Sequence, residues 1–226
     1  MDAVTDVVVS DGTLAVDAAD DGLHADGDLA ITNGTVSVTR SYEAIEGSTI
    51  TISGGAVDTT SSDDGLNAGS TLTISGGTVV VNGPTENMNG AIDANGTLAV
   101  TGGVLLAAGS SGMAEAPDSS SSQGWVAVSF SSGQQAGTVV HIVSADGTVL
   151  ASFTASKSFS SLVFSSADIT SGSTNTVYTG GSASGESTGG LTAGGSIDSA
   201  TSVGTFTAGE APAGGMGMGG GTRPGS

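Results

Sequence analysis

Apolar residues recur along the first half of the chain at nearly constant intervals. Four segments share an alternation of apolar and small polar residues followed by a glycine or a glycine pair and then by two more residues: 29–36, 50–57, 72–79 and 98–105, with a partial copy at 9–14. The equivalent residues Val9, Ile31, Ile52, Ile74 and Val100 are spaced by 22, 21, 22 and 26 residues. Self-similarity at a fixed period is the signature of a repeat architecture.

The alternation within each unit predicts short strands separated by tight corners. Leu29 and Ile31 would face inward, whereas Ala30 and Thr32 would face outward. The glycines between strands supply the backbone angles that a sharp corner needs. If each unit forms one turn of a coil, every strand stacks on its copy about 4.8 Å away and buries a continuous apolar stripe. A sandwich of independent hairpins is the alternative, but it gives no reason for the constant spacing. We therefore predict an all-β fold with a parallel β-solenoid, or β-helix, over residues 1–112.

The pattern changes after Gly112, where the repeat ends. Residues 113–123 are predicted to form a linker or an exposed loop, and 124–209 a C-terminal antiparallel β cap. A hairpin is expected around Asp146-Gly147, between two apolar alternating segments. Residues 210–226 are rich in Gly and Met and are predicted to be a flexible tail. The aromatic residues of the cap are expected to form its core, with stacking on sugar rings as the alternative. His141 alternates with apolar neighbours and is expected at the surface of its strand.

Composition excludes several classes of protein. The 226 residues include 39 Gly, no Cys and three Lys plus Arg, and the net charge is −19. Glycine at this frequency disfavours a helical bundle, because each interior glycine costs about 1 kcal/mol. Three cations cannot form the basic surface that nucleic acid requires. Without cysteine there are no disulfides and no thiolate metal sites. No apolar run is long enough for membrane insertion.

The acidic residues are concentrated in the repeat region, which holds 12 Asp and three Glu against Arg40 alone, a net charge of −14. When Leu23, Ile45, Leu66 and Ile92 are aligned, oxygen-bearing side chains recur at one corner of four successive coils. We call residues 20–24, 42–46, 63–67 and 89–93 the acidic corner. Its candidate metal ligands are Asp20, Asp21, Glu43, Glu46, Asp63, Asp64, Asn67 and Asp93.

Calcium is the cofactor that this corner predicts. Calcium binds oxygens at about 2.3–2.6 Å, so two oxygens on opposite sides of the ion lie about 5 Å apart, close to the spacing of the coils. Without a cation, stacked carboxylates repel by about 1 kcal/mol per pair even at the dielectric of water. Zinc is disfavoured because there is no Cys and because His24 and His141 lie in different regions; magnesium prefers a tighter octahedron. A solvated acidic face without a metal is the alternative.

Several phrases at this corner resemble a known family. They are Asp-Asp-Gly-Leu-His-Ala-Asp-Gly at 20–27, Tyr-Glu-Ala-Ile-Glu-Gly at 42–47, Ser-Asp-Asp-Gly-Leu-Asn-Ala at 62–68 and Ser-Ser-Gly-Met-Ala at 110–114. The sequence from about residue 7 to 178 resembles the secreted bacterial carbohydrate-binding β-helix proteins first recognised in cellulose-degrading clostridia. That family is similar in fold to pectate lyases, especially the family-nine polysaccharide lyases. The resemblance implies a right-handed β-helix, calcium at the acidic corner and an extracellular or cell-surface location. It also implies binding of acidic or neutral plant polysaccharide, including polygalacturonate (pectin) and cellulose.

Three functions remain open from the sequence. We favour non-catalytic, calcium-dependent polysaccharide binding, since bound calcium would reverse the local charge that otherwise repels a polyuronate. Arg40 and Tyr42 are the candidate ligand-binding residues. A pectate-type lyase with Arg40 as its base is the first alternative. A calcium-stabilised cell-surface spacer or adhesin, which binds no glycan, is the second. The chain opens with Met1-Asp2 and lacks the features of a signal peptide, so an exported parent would need a leader absent here.

Overall fold

The fold was determined as a computed structural model, which describes residues 1–211. Most of the predicted tail, 210–226, therefore lies outside the described residues. The described chain contains strands and connecting segments but no helix. The strands are β1 (Asp2–Ala3), β2 (Val7–Val9), β3 (Thr13–Asp17), β4 (Leu23–Ile31), β5 (Thr35–Arg40), β6 (Ile45–Thr60), β7 (Leu66–Asn82), β8 (Ile92–Ala94), β9 (Thr97–Gly109), β10 (Trp125–Gln134), β11 (Val139–Ser144), β12 (Val149–Thr154), β13 (Phe159–Ser165), β14 (Thr174–Thr179), β15 (Ser182–Ser184), β16 (Leu191–Thr192), β17 (Gly194–Ser196) and β18 (Thr201–Thr207).

Strands β1 to β9 form a parallel β-solenoid of about five turns, which confirms the predicted architecture. Each turn has three sides. The first side contains 23–25, 45–47, 66–68 and 92–94; the second contains 28–31, 49–52, 71–74 and 97–100; the third contains 35–38, 56–60, 78–82 and 104–108. β6 and β7 each bend through all three sides, with register shifts at the corners, so these strands are longer than the short strands that the sequence predicted.

The interior of the solenoid is filled by the residues that the repeat pattern assigned to it. Leu29, Ile31, Ile52, Ile74 and Val100 are all essentially inaccessible to solvent and belong to one core cluster. Each fully buried aliphatic side chain of this size contributes about 1.5–3 kcal/mol relative to an exposed one. This core fixes the register of neighbouring coils, since a slip by one residue would turn every inward side chain outward.

Gly77 shows why the corners between the second and third sides need glycine. Its φ is +79°, in the left-handed region, and a methyl group on its Cα would lie 2.6 Å from the carbonyl oxygen of Gly55 in the coil below. Gly55 and Gly103 occupy the same position in the adjacent coils with similar φ values. The corner is therefore tight both within a coil and between coils.

Residues 113–123 have no strand or helix, but they lie along the last coil instead of projecting into solvent. Three of their side chains accept hydrogen bonds from backbone N–H groups at the edge of the solenoid. Glu115 Oε2 accepts from Ala94 at 3.0 Å, Asp118 Oδ2 from Leu98 at 3.1 Å, and Ser121 Oγ from Val100 at 2.9 Å. The segment thus replaces the strand that a further coil would have supplied, and it covers an otherwise open edge.

The C-terminal cap is antiparallel, as predicted. On the third side, β9 pairs with β13 and β13 with β10, both antiparallel. A separate antiparallel sheet has the order β16-β12-β11-β14-β18. The predicted hairpin corresponds to β11 and β12. The two sheets enclose a second core in which Phe130, Phe153, Phe159 and Phe164 pack with outward-facing residues of the solenoid such as Val80. Trp125 packs in a small cluster beside them.

The expected surface position of His141 is wrong. Its side chain is fully buried, because β17 lies over this face of the five-stranded sheet: a methyl group on Gly195 would lie 2.9 Å from the His141 ring. Nδ1 lies 2.7 Å from Ser152 Oγ and Nε2 lies 2.9 Å from the carbonyl oxygen of Gly180. Nε2 therefore carries the proton and donates it to Gly180, while Nδ1 accepts from Ser152. Burial lowers the pKa of His141, which keeps the ring neutral.

Candidate functional site

Two columns of polar side chains run across the coils at the acidic corner. Leu23 pairs with Ile45, Ile45 with Leu66, and Leu66 with Ile92, which is the alignment that the repeat predicted. The residues two positions before these form one column: Asp21, Glu43, Asp64 and Gly90. The residues one position after them form the other: His24, Glu46, Asn67 and Asp93. Apolar residues between the columns point into the core, so both columns face outward beside one another.

Carboxylates from different coils converge into two groups that share Glu43. One oxygen from each of Asp21, Glu43 and Glu46 lies within 4.8 Å of the others, and the same holds for Glu43, Asp63 and Asp64. Each group joins residues of two successive turns, which lie 20 or more positions apart in the chain, because the coil stacks one turn on the next. Three oxygens at such mutual distances suit a divalent cation that takes hard oxygen ligands.

Hydrogen bonds orient the carboxylates of these groups. Asp21 Oδ1 accepts from the Glu43 backbone N–H at 3.2 Å, and Asp64 Oδ1 accepts from the Gly90 N–H at 2.7 Å. Asn67 Nδ2 donates to Glu43 Oε2 at 2.9 Å, so Asn67 holds the Glu43 carboxylate in position with its amide nitrogen. These contacts fix one oxygen of each acid.

Asp63 carries an oxygen whose hydrogen-bonding capacity is not used. The residue is 7% exposed, and its Oδ1 is buried without a hydrogen-bond partner among residues 1–211. Leaving a buried charged oxygen unpaired costs several kcal/mol unless a counter-charge or donor is nearby. An ion between Glu43, Asp63 and Asp64 would supply that counter-charge. The donor set and its burial therefore fit a calcium ion.

Burial raises the pKa of the carboxyl groups at the centre of the corner. Desolvation is the main cause for each: it raises the pKa of Glu43 to about 7 and that of Asp64 to about 6. Negative neighbours add to both shifts, Glu46 first for Glu43 and Asp93 first for Asp64. The pKa of Glu46 is also raised, again mainly by burial. The ionised forms of these carboxyl groups are therefore destabilised at the corner, and a bound cation would stabilise them.

The remaining predicted residues lie around the two groups and not within them. Asp20 is exposed, and its charge contributes to the raised pKa of Glu46. Asp93 lies close enough to Asp64 to raise its pKa. Tyr42 is 51% exposed and stands beside Asp63, whose hydrogen bond raises the pKa of the phenol. Arg40 is paired with Asp17, whose Oδ1 accepts a hydrogen bond from the Arg40 Nε at 2.7 Å.

Two further residues extend the carboxylate groups at their ends: Glu115, which the sequence did not single out, and His24, which belongs to the acidic corner but was not predicted as a ligand. Glu115, from the segment after the last coil, is buried enough to raise its pKa to about 7, and the charges of Asp93 and Asp64 add to this shift. No repeat pattern marks Glu115, because its segment has no strand. At the other end, His24 lies 2.9 Å from Asp2 and 3.6 Å from Glu46, and these acids raise its pKa, with the Asp2 hydrogen bond as the main cause.

An open cavity of about 360 Å³ runs beside the second column. His24, Asp26, Glu46, Asn67 and Asn95 line it, together with small residues of the next corner. Carboxylate, amide and hydroxyl groups of this kind hydrogen-bond to sugar hydroxyls. The cavity touches the Asp21–Glu43–Glu46 group through Glu46, so a ligand in it would lie next to a bound ion.

Residues 1–44 match the model of a family described as carbohydrate-binding domain-containing protein. The match supports carbohydrate binding in general. It covers the first two coils, which include Asp20, Asp21 and Glu43, and it suggests a polysaccharide partner. It is also compatible with a binding protein that has no catalytic activity. No curated protein and no solved structure matches the chain. Within residues 1–211, no helix is long and apolar enough to cross a membrane.

Proposed function

We propose that this protein is a non-catalytic module that binds acidic plant polysaccharide, such as polygalacturonate, through calcium held at the acidic corner. The observation that carries the proposal is the pair of carboxylate groups sharing Glu43, one of which contains the unpartnered oxygen of Asp63. Asp21, Glu43, Glu46, Asp63 and Asp64 would hold the ion. The family match at residues 1–44 supports the carbohydrate part of the proposal.

Charge explains why calcium and an acidic glycan belong together in this proposal. The net charge of −19 repels a polyuronate at long range. A divalent ion at the corner reverses the sign locally and shares its remaining coordination positions with sugar carboxylates. The polar cavity beside Glu46 would hydrogen-bond the sugar hydroxyls. A neutral glucan such as cellulose could use the same cavity without the ion, so its binding should depend less on calcium.

Binding of polygalacturonate with and without calcium tests the proposal. Protein stripped with a chelator is run through a gel that contains polygalacturonate, and retardation is compared before and after calcium is restored. We expect retardation only with calcium. Glu43→Gln should weaken it about tenfold or more, because both carboxylate groups lose their shared charge. Glu186→Gln, which removes the same charge from an exposed loop, is the matched control. Equal retardation in chelator and calcium would overturn the calcium dependence.

The same samples separate the two alternatives. A lyase would release unsaturated uronate and raise the ultraviolet absorbance, whereas a binding module leaves the absorbance flat. Arg40 is poorly placed to act as the base, because its Nε already donates a hydrogen bond to Asp17 Oδ1 at 2.7 Å. A spacer would be stabilised by calcium yet show no retardation on any glycan.

A further inference from the structure

A second cavity, of about 400 Å³, is lined by two of the protein's three Lys and Arg residues. Arg40 and Lys157 both line it, and the rest of its lining consists of alanines and hydroxyl side chains: Ser41, Thr60, Ser61 and Ser62. The third basic residue, Arg223, lies outside the described residues. No acidic residue of the described chain lines this cavity. The cavity therefore brings together two cationic side chains, one of which is paired with Asp17, in a strongly anionic molecule.

Lys157 enters the cavity from the C-terminal cap and is held there by the solenoid. It lies between β12 and β13, and its Nζ donates to the carbonyl oxygen of Ser61. The preceding residue, Ser156, donates its backbone N–H to Asn82 Oδ1 at 3.2 Å, which ties this part of the cap to β7. Lys157 is half-buried. A cation fixed in a partly desolvated position attracts an anion more strongly than one on a mobile side chain in water.

Arg40 is the last residue of β5, so it lines the cavity from the solenoid, and a hydrogen bond already orients its guanidinium. Its Nε donates to Asp17 at 2.7 Å, and its side chain is 69% exposed. The two terminal nitrogens make no hydrogen bond to any residue within 1–211. A guanidinium held at Nε still presents a planar pair of donors, which matches the two oxygens of a carboxylate or of a sulfate.

The cavity adjoins the acidic corner along two neighbouring coils. Arg40 and Ser41 directly precede Tyr42 and Glu43, while Ser61 and Ser62 directly precede Asp63 and Asp64. Ser61 Oγ also donates to the carbonyl oxygen of Asp63 at 2.8 Å. A chain molecule bound at the corner would therefore pass the cavity if it continued in this direction.

We propose that this cavity is a second subsite, without a metal ion of its own, which binds an anionic group of an acidic sugar, either a uronate carboxylate or a sulfate ester, between Arg40 and Lys157 and adds to the binding at the acidic corner. The inference rests on the proposed function. It adds a requirement for an anionic substituent on the sugar, which the acidic corner alone does not impose. A calcium ion recognises oxygens of many kinds, whereas two fixed cations require an anionic substituent. The subsite thus selects acidic glycans over neutral ones of the same backbone.

Oligosaccharides that differ only in charge test the subsite. Affinity is measured in saturating calcium for an oligogalacturonate, for the corresponding neutral galactose oligomer and for its sulfated form. Arg40→Gln should weaken binding of the anionic oligomer about tenfold, the scale of one lost charge-assisted hydrogen bond, and leave the neutral one unchanged. Arg40→Lys should weaken binding of the anionic oligomer less than Arg40→Gln does, since lysine keeps the positive charge. Asp17→Asn, which releases Arg40 from its partner, should strengthen anionic binding more than Asp168→Asn, a charge control outside the cavity lining.

Lys157→Met provides an independent variant on the cap side, and its melting temperature shows whether the cap still docks. The affinity for calcium alone is measured for every variant and should not change. If the wild type binds the acidic oligomer and Arg40→Gln and Lys157→Met bind it equally well, the subsite is overturned while the proposed function stands. If the wild type binds only neutral oligomers, the subsite and the acidic ligand both fail, but carbohydrate binding stands. If no oligomer binds, the proposed function fails as well.

Discussion

Burial removes several carboxyl groups of the acidic corner from the water that would stabilise their negative charge. Glu43 is the centre of the corner: it belongs to both carboxylate groups, and burial raises its pKa to about 7. Asn67 relieves part of this by donating to one oxygen, but Asp63 Oδ1 has no such donor among the described residues. The negative charge of these residues is therefore not fully compensated by neighbouring groups, and a bound cation would compensate it.

The two histidines should have pKa values on opposite sides of the ordinary value of 6.5. The pKa of His24 is raised, mainly by its hydrogen bond with Asp2, whereas burial lowers the pKa of His141. NMR spectra of the ring protons, assigned with His24→Gln, should show His24 gaining its proton first as the pH falls. The unfolded chain takes up a proton at position 141 near pH 6.5 and the folded chain does not, so this residue lowers stability as pH falls below that value. Titration in the reverse order would contradict the assigned environments.

At the scale of elements, the structure depends on corners that repeat at the same place in each coil. The strands of β6 and β7 continue through these corners, and the coils touch there through backbone atoms. The repeat in the sequence located the corners correctly, because the glycines and the apolar positions both recur in register. The segment 113–123 could not be recognised as the cover of the last coil, since Glu115, Asp118 and Ser121 act through side chains in a stretch with no repeat.

Gly77→Ala tests the close stacking of the corners. The alanine would have to adopt φ near +79° and place its methyl group 2.6 Å from the Gly55 carbonyl oxygen. Gly147→Ala is the matched control, since Gly147 has φ +90° in the β11–β12 hairpin but no atom within 4 Å of the added methyl group. We expect Gly147→Ala to lower the free energy of unfolding by about 1–2 kcal/mol. Gly77→Ala should lower it by about 1–3 kcal/mol more, because overlap adds to the strain.

Chemical denaturation of both variants measures this difference. Equal losses for Gly77→Ala and Gly147→Ala would mean that neighbouring coils do not meet at this corner as closely as the structure shows.

The whole molecule consists of a solenoid, which brings carboxylates of successive coils together, and a cap, which packs against its last coils. The sequence predicted the solenoid and the corner because both follow from local repetition. It did not predict that Lys157 and Arg40 line one cavity, nor that His141 is buried, since both depend on how the cap docks on the third side and how β17 folds over the sheet. Such long-range contacts leave no periodic signal in the chain.

Stability of the whole molecule should depend on pH in opposite ways with and without calcium. In chelator, Glu43, Asp64 and Glu115 have folded pKa values raised to between about 6 and about 7. The folded state therefore binds more protons than the unfolded state above about pH 4.5, and stability falls as pH rises through these values. With calcium, the carboxylates must be ionised to bind, so the stabilisation by calcium grows as pH rises.

Thermal melting between about pH 5 and about pH 8, in chelator and in calcium, measures this coupling. Glu43→Gln should flatten the fall in chelator and reduce the gain from calcium, while Glu186→Gln should behave as the wild type. Melting curves with the same pH dependence in chelator and calcium would show that the carboxylates of the corner do not take up the ion.

Calorimetric titration of calcium into chelator-stripped protein tests the central claim most directly, because it needs neither a glycan nor an unfolding transition. We predict saturable binding in the wild type and in Glu186→Gln, with proton release near neutral pH as Glu43 and its neighbours ionise. Glu43→Gln should lose most of this heat. The absence of saturable binding in the wild type, or undiminished binding in Glu43→Gln, would contradict the account.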